Sequence, residues 1–189
     1  MKTRLWTFFL ATFVSFGLCG RTHAGQDTPC IIYTCPVEML SSTLNNGSFE
    51  QMLSGWSYNA GVYHIGHAGS QPIGVEGELS ADLGGANIVG AKMWQSVAVR
   101  PGGQYELSFY SCANGSGYAG RTAVGRVEVE DAQGQIIAGM SFTNVSPTPM
   151  LGSNGFERHQ LEFGVGSAAS CVTIRFLDLT PGGGSSSVL

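Results

Sequence analysis

The chain has 189 residues, a formal net charge of −4 and only 12% charged residues. Its 9 Lys and Arg form no run or stripe, which argues against a nucleic-acid partner. Glycine is abundant at 28 residues, and the length suits one domain, commonly roughly 100 to 200 residues, with room for a sizeable core.

The chain starts with Lys2 and Arg4, then the apolar run "LWTFFLATFVSFGLCG", then "RTHA". A charged start, a short apolar stretch and small residues near a cut read as a secretory signal peptide, residues 1–24, cleaved after Ala24. The run is short for a membrane span, which needs about 20 residues. Lipidation at Cys19 is not expected, because Leu18 stands where a lipid-attachment site takes a small residue. Nothing after the signal reads as a membrane helix. The reading is a secreted, extracellular or cell-surface protein, with the periplasm as the alternative.

Residues 25–43 read as an irregular leader. From there the signal is strand-like alternation, not helical periodicity. "MWQSVAV" sets Gln95, Val97 and Val99 against Trp94, Ser96 and Ala98. "RPGGQ" is a Pro-Gly turn. "QYELSFYSC" puts Tyr105, Leu107 and Phe109 on one face, with Glu106, Ser108 and Tyr110 on the other. "GRVEVED" alternates Val127 and Val129 with Arg126, Glu128 and Glu130, and "DAQGQ" closes a hairpin. "TNVSPTPMLGSNG" reads as the longest loop. "HQLEFGV" groups Leu161, Phe163 and Val165, and "CVTIRFLD" groups Val172, Ile174 and Phe176. Strands with one apolar face need a second sheet to cover it. The expected fold is all-β, an antiparallel β-sandwich of jelly-roll type.

Four cysteines follow the signal: Cys30, Cys35, Cys112 and Cys171. An even number in an exported chain suggests disulfides, and four allow three connectivities. The favoured pairing is Cys30–Cys35 and Cys112–Cys171, the second tying distant strands. Zinc is the rival, but the Cys30–Cys35 spacing is loose and no second paired motif exists.

The order of "LNNGSFEQ", "GWSYNAGVYHIG", "GVEGELSADLGG", "MWQSVAVRPGGQYELSFYSCANG" and "FERHQLEFGVGSAASCVTIRFLDLTPGGGSSSVL" resembles the galactose-binding-like jelly-roll domains. The pattern is most similar to the choice-of-anchor C family and the plant cell-wall family domain of unknown function 642. The resemblance covers residues 44–189 and rests on the succession of motifs, no one of which is specific. It implies binding of glycans or cell-wall polysaccharide outside the cell. Such domains end in an acidic "DDV" strand that this sequence does not contain, so a domain lacking its closing strand is expected, with an open edge near "NGSFE".

Individual residues carry competing readings. Glu50 as a glycosidase acid needs a second carboxylate roughly 5 to 9.5 Å away, and Glu76, Glu78 and Asp82 do not converge on it in sequence. The resemblance offers a structural calcium instead, with Asn46 and Glu50 as ligands, although calcium takes six to eight oxygens. The plainest reading has Glu50 hydrogen-bonding backbone at a strand end. Phe49 and Trp56 read as core, with sugar stacking as the alternative for Trp56. Trp94 and Tyr110 stand opposite the apolar stripes of their strands, and Arg126 lies on a polar face. These three form the candidate ligand-binding surface, against the plain alternative of a solvated sheet face. His64 and His67 in "HIGH" raise a metal question, but His159 is the only other histidine after the signal. "GSGYAG" and "PGGGSSS" lack the helix and lysine of a phosphate loop. Asn46, Asn114 and Asn144 fit the glycosylation pattern, relevant only in a eukaryotic host. No "GxSxG" elbow appears.

The sequence therefore points to an exported, non-catalytic carbohydrate-binding or cell-wall module. The alternative is a structural or adhesive surface protein that engages other proteins through its sheet edges. A polysaccharide hydrolase ranks last.

Overall fold

The computed structural model describes residues 44–66, 75, 78–84, 88, 90–114, 121–145, 155–181 and 186–189. The signal peptide, the 25–43 leader, Cys30, Cys35 and His67 lie outside them. So do Glu76 and the part of the long loop between 146 and 154.

Among the described residues ten strands follow in chain order: β1 (Ser57–Tyr58), β2 (Val62–Gly66), β3 (Leu79–Leu83), β4 (Lys92–Ala98), β5 (Gln104–Asn114), β6 (Thr122–Glu130), β7 (Ile136–Val145), β8 (Glu157–Gly164), β9 (Cys171–Asp178) and β10 (Ser186–Val188). The first sheet runs β1-β4-β9-β6-β7 and the second β2-β3-β10-β5-β8. Every neighbouring pair is antiparallel. The chain is a two-sheet β-sandwich of jelly-roll type, as the alternation anticipates.

The core fills from alternate positions. Met93 and Val97 of β4, Leu107 of β5, Val127 and Val129 of β6, Phe163 of β8, and Val172, Ile174 and Phe176 of β9 are all buried. The Pro101–Gly102 turn joins β4 to β5, and the Asp131 carboxylate organises the hairpin between β6 and β7 by accepting the N–H groups of Gln133 and Gln135. Short apolar or small-residue segments escaped the alternation reading. β3, "LSADL", alternates Leu79, Ala81 and Leu83 with Ser80 and Asp82, but the strand is short and its polar side chains are buried as well.

The segment "NGSFE" is not a strand. Residues 45–48 and 50–55 form turns, with Phe49 N–H bonded to Asn46 O, Ser54 N–H to Gln51 O and Trp56 N–H to Leu53 O. Asn46, Phe49 and Met52 have φ of 52°, 61° and 57°, a left-handed conformation that breaks extended pairing. The turns are held from inside and outside. Buried Gln95 accepts Asn45 N–H at 2.7 Å and donates to Asn45 O and Gly55 O at 3.0 and 2.8 Å. The Asn46 amide donates to Met52 O and Ser54 O. Phe49 and Trp56 enter the core from this plug, as the sequence suggests.

The sequence reading expects a domain without its acidic closing strand, with an edge left open near "NGSFE". The structure places Ser186–Val188 as β10 between β3 and β5, and Leu189 exchanges both backbone hydrogen bonds with Ala81 at 2.8 and 3.1 Å. This strand meets β3 and β5, not the turns at "NGSFE".

Gly125 of β6 faces Phe142 of β7 across the ladder, and the Phe142 ring folds over it. A Cβ at Gly125 would lie 2.2 Å from Phe142 Cζ. Gly125→Ala should therefore overpack the core and cost about 1–3 kcal/mol in chemical denaturation. Adding Phe142→Leu should recover part of that loss. An unchanged midpoint in Gly125→Ala would refute this packing.

Candidate ligand-binding face

Alternation along each strand sends every second side chain outward, so the sandwich has two outer faces. The three residues expected to form one surface divide between them. Trp94 on β4 and Arg126 on β6 belong to the first sheet, whereas Tyr110 on β5 belongs to the second. Period-two patterning marks a residue as outward without saying which sheet its strand joins.

The outer face of the first sheet is closed on itself electrostatically. Arg126 Nε donates to Glu128 Oε1 at 2.8 Å, and Arg175 Nη2 donates to Glu130 Oε2 at 2.7 Å. Arg175 Nη1 also lies 3.9 Å from Glu128 Oε2 and pairs with Glu130 Oε1. Two cations and two carboxylates thus neutralise one another across β6 and β9. Trp94 stands opposite Arg175 on the neighbouring strand, half-buried, with Lys92 Nζ 5.9 Å from its ring centroid. The groups that would meet a ligand here already hold each other.

The outer face of the second sheet is different across β5 and β8. Tyr110 is 40% exposed and stands directly opposite Arg158. Ser108 faces Gln160, and Glu106 faces Glu162. Gln160 Nε2 donates to Glu106 Oε1 at 2.9 Å. Arg158 is exposed and enters no ion pair among the described residues. An exposed aromatic ring thus adjoins a guanidinium, an amide, a hydroxyl and carboxylates. Tyr63 of β2, opposite Asp82, rises from the same face, but buried Ser80, Asp82, Cys112 and Val188 occupy the middle. Arg158 and Gln160 were missed because "ERHQLEFG" reads as an ordinary polar stripe until β8 is known to lie beside β5.

Glu50 is structural in this arrangement. Its Oε1 accepts the N–H groups of Glu78 and Leu79, both at 2.9 Å, tying the 45–55 turns to the start of β3. Asn46 Oδ1 accepts Gln51 N–H at 3.0 Å. Two side chains engaged with backbone N–H groups do not by themselves compose the six to eight oxygens that calcium takes. Among the described residues no group of three or more His, Cys, Asp or Glu is placed to hold a metal ion.

The expected Cys112–Cys171 bridge is absent: Cys112 is a free thiol. Cys171 opens β9 beside the 100–103 turn, where Val99 N–H bonds Ser170 O. β5 leaves that turn at Gln104 and reaches Cys112 in the opposite sheet, roughly 26 Å further at about 3.3 Å per residue. A disulfide needs Cα atoms within about 7 Å. Burial, with the Asp82 carboxylate adding to it, pushes the Cys112 thiol up to about 12.

One polar cluster inside the sandwich was not anticipated. Ser111 is fully buried and its hydroxyl donates to Asn144 Oδ1 at 2.7 Å, while His159 Nε2 lies 2.9 Å from Ser111 Oγ. A serine beside an imidazole is the arrangement of a nucleophile and its base. Here the hydroxyl hydrogen points at Asn144, and the imidazole packs against Phe109 and Phe142 at 5.0 and 5.1 Å. Buried Asn144 is also a poor glycosylation acceptor. Elsewhere, Asp178 accepts Thr180 Oγ1–H at 2.7 Å, and burial raises its carboxyl above the usual range against the pull of that bond and of Ser187.

Burial lowers the affinity of His159 for a proton, although Glu157 opposes this. The unfolded chain then binds more protons than the folded one below about pH 6.5. Stability should fall as pH drops from 7 toward 5, and His159→Gln should flatten that slope in thermal melts. An equal slope in both proteins would remove His159 as its cause. Cys112 should resist iodoacetamide in the native protein and react only on unfolding, as peptide mass spectrometry would show; rapid native labelling would contradict its burial.

No family model matches this chain, and no curated protein matches it. Solved structures do resemble it. The enzymatically active domain of bacteriophage CBA120 tailspike protein 4 aligns over 77% of this chain at 20% identity and a TM-score of 0.48, and this chain spans only 20% of that one. A family 16 carbohydrate-binding module aligns over 77% of this chain and 98% of its own, at 17% identity and a TM-score of 0.44. The CBM22-1 xylan-binding domain of Paenibacillus barcinonensis Xyn10C aligns over 71% of this chain and 80% of its own, at 15% identity and a TM-score of 0.46. At these identities and scores, what those proteins bind does not transfer to this one.

Proposed function

We propose that this chain is an exported, non-catalytic glycan-binding module whose ligand lies on the outer face of the second sheet, across β5 and β8. The observation that carries the proposal is Tyr110, exposed and directly opposite the exposed Arg158. A sugar ring offers C–H groups on its face and hydroxyls at its rim. A tyrosine ring suits the first by its flat apolar surface. Arg158, Gln160, Ser108 and Glu162 suit the second, because they supply both donors and acceptors. The first sheet is the weaker candidate, since Arg126, Glu128, Arg175 and Glu130 pair among themselves. The signal-like start and the resemblance to galactose-binding-like domains support the same reading. The structural calcium that the resemblance implies would draw on Asn46 and Glu50.

Titration calorimetry and affinity electrophoresis with a panel of soluble polysaccharides test the proposal. At least one polysaccharide class should bind. Tyr110→Ala should weaken that binding about ten-fold or more, a loss of about 1.4 kcal/mol. Arg158→Ala should weaken it less, and Trp94→Ala should leave it unchanged. Binding that survives Tyr110→Ala and disappears in Trp94→Ala would move the site to the first sheet. Absence of binding across the panel would reject the reading.

A further inference from the structure

The four sheet edges of the sandwich are not equivalent. β1 is only 2 residues long and β2 only 5. β8 has 8 residues but carries Glu157, Arg158 and Glu162. β7 has 10 residues, "IIAGMSFTNV", with no charge and no proline. Exposed edges are ordinarily blunted by shortness, charge, proline or a bulge, because unpaired N–H and C=O groups otherwise recruit another strand. The bulge between Val129 and Glu130 leaves Ile137 without a partner on β6 and is confined to the start of β7; from Ala138 to Val145 the β6–β7 register is regular. Among the described residues no strand pairs with the outer side of β7. Ile136, Ile137 and Val145 are exposed at 52%, 37% and 55%.

We propose that β7 is a self-pairing edge, and that two copies of this chain join there antiparallel about a two-fold axis, merging their first sheets. The pattern of side chains selects the register. Opposed residues in an antiparallel pair must point to the same face. Ala138, Met140, Phe142 and Asn144 face inward, each opposite or between the inward residues of β6, and the residues between them face outward. A pairing centred on Ser141 satisfies this rule for the whole strand. It sets Ile137 of each copy against Val145 of the other, and Gly139 against Thr143. On the inner face it sets Met140 against Phe142 and Ala138 against Asn144. The two exposed apolar residues at the ends of the strand thus cover each other twice.

The energetics favour a second copy over a charged partner. Self-pairing places no like charges opposite one another, which is the usual obstacle for an edge strand. The nearest charge is Arg126 of β6, which binds its own Glu128 at 2.8 Å and whose Nη1 reaches Ser141 Oγ at 3.4 Å. Segment 137–145 in this register forms about 8–10 main-chain hydrogen bonds, comparable with the roughly 10 of an ordinary protein interface. The contact is isologous and closes at two copies, so it does not propagate into fibres. It also leaves Tyr110 and Arg158 on the other sheet, so the inference stands apart from the glycan-binding proposal.

Sedimentation of the purified chain over a range of concentrations, with cross-linking, tests this. The parent chain should show a reversible monomer–dimer equilibrium. Ser141→Lys puts two like charges face to face on the axis and should weaken dimerisation about ten-fold or more; it should also lower the melting temperature, because residue 141 stands opposite Arg126 of its own chain. Ser141→Cys should form an intermolecular disulfide on mild oxidation, because each residue meets its own copy. Thr143→Cys should not, because it meets Gly139. A parent chain that stays monomeric at all concentrations, a dimer indifferent to Ser141→Lys, or equal cross-linking at positions 141 and 143 would overturn the proposal.

Discussion

The sandwich depends on a continuous run of aromatic rings between its sheets. Phe109 of the second sheet meets Phe142 and Phe176 of the first edge-on, at 5.2 and 5.1 Å, and tilts against His159 at 5.0 Å. Phe176 reaches Trp56 at 6.1 Å, and Trp56 reaches Phe49 at 5.6 Å. Each such pair contributes about 0.5–1.5 kcal/mol beyond area burial. The run also fixes geometry: it sets which strand ends meet, anchors the turns at residues 45–55, and decides which faces are left for solvent. Gly125 is part of this constraint, because only an absent side chain lets the Phe142 ring lie across its strand.

Polar groups limit the core at its ends. Gln95 closes one region by satisfying Asn45 and Gly55, so that a turn-rich segment sits where a strand would otherwise be. Ser111, Asn144 and His159 form a second polar region, held among aromatic rings. Buried polar groups cost free energy unless they are hydrogen-bonded, and this set is satisfied only in part: Asn144 Oδ1 accepts from Ser111, whereas Asn144 Nδ2 is buried without a partner among the described residues. Burial lowers the proton affinity of His159 and raises that of Asp178.

The two outer faces inherit opposite properties from this frame. On the first sheet, register places two arginines beside two glutamates, and they neutralise each other. On the second, register places Arg158 beside Tyr110 and leaves both exposed. The edges differ for the same reason. β8 is charged, whereas β7, which lies beside it on the same side of the sandwich, is long and uncharged.

Strand identity and inward–outward sense were legible from the residues alone. Leu107, Val127, Val129, Phe163, Val172, Ile174 and Phe176 stand inward as their alternation requires, and Phe49 and Trp56 are core. Burial is a local demand on each strand, so a period of two records it directly. Partnership between strands is not local, and it decided the rest. It separated Tyr110 from Trp94 and Arg126, held Cys112 far from Cys171, gave Glu50 the amides of Glu78 and Leu79, and set β10 between β3 and β5. A side-chain pattern states that a face must be covered; only the packed sheets settle which segment covers it and which residues are left to meet a ligand.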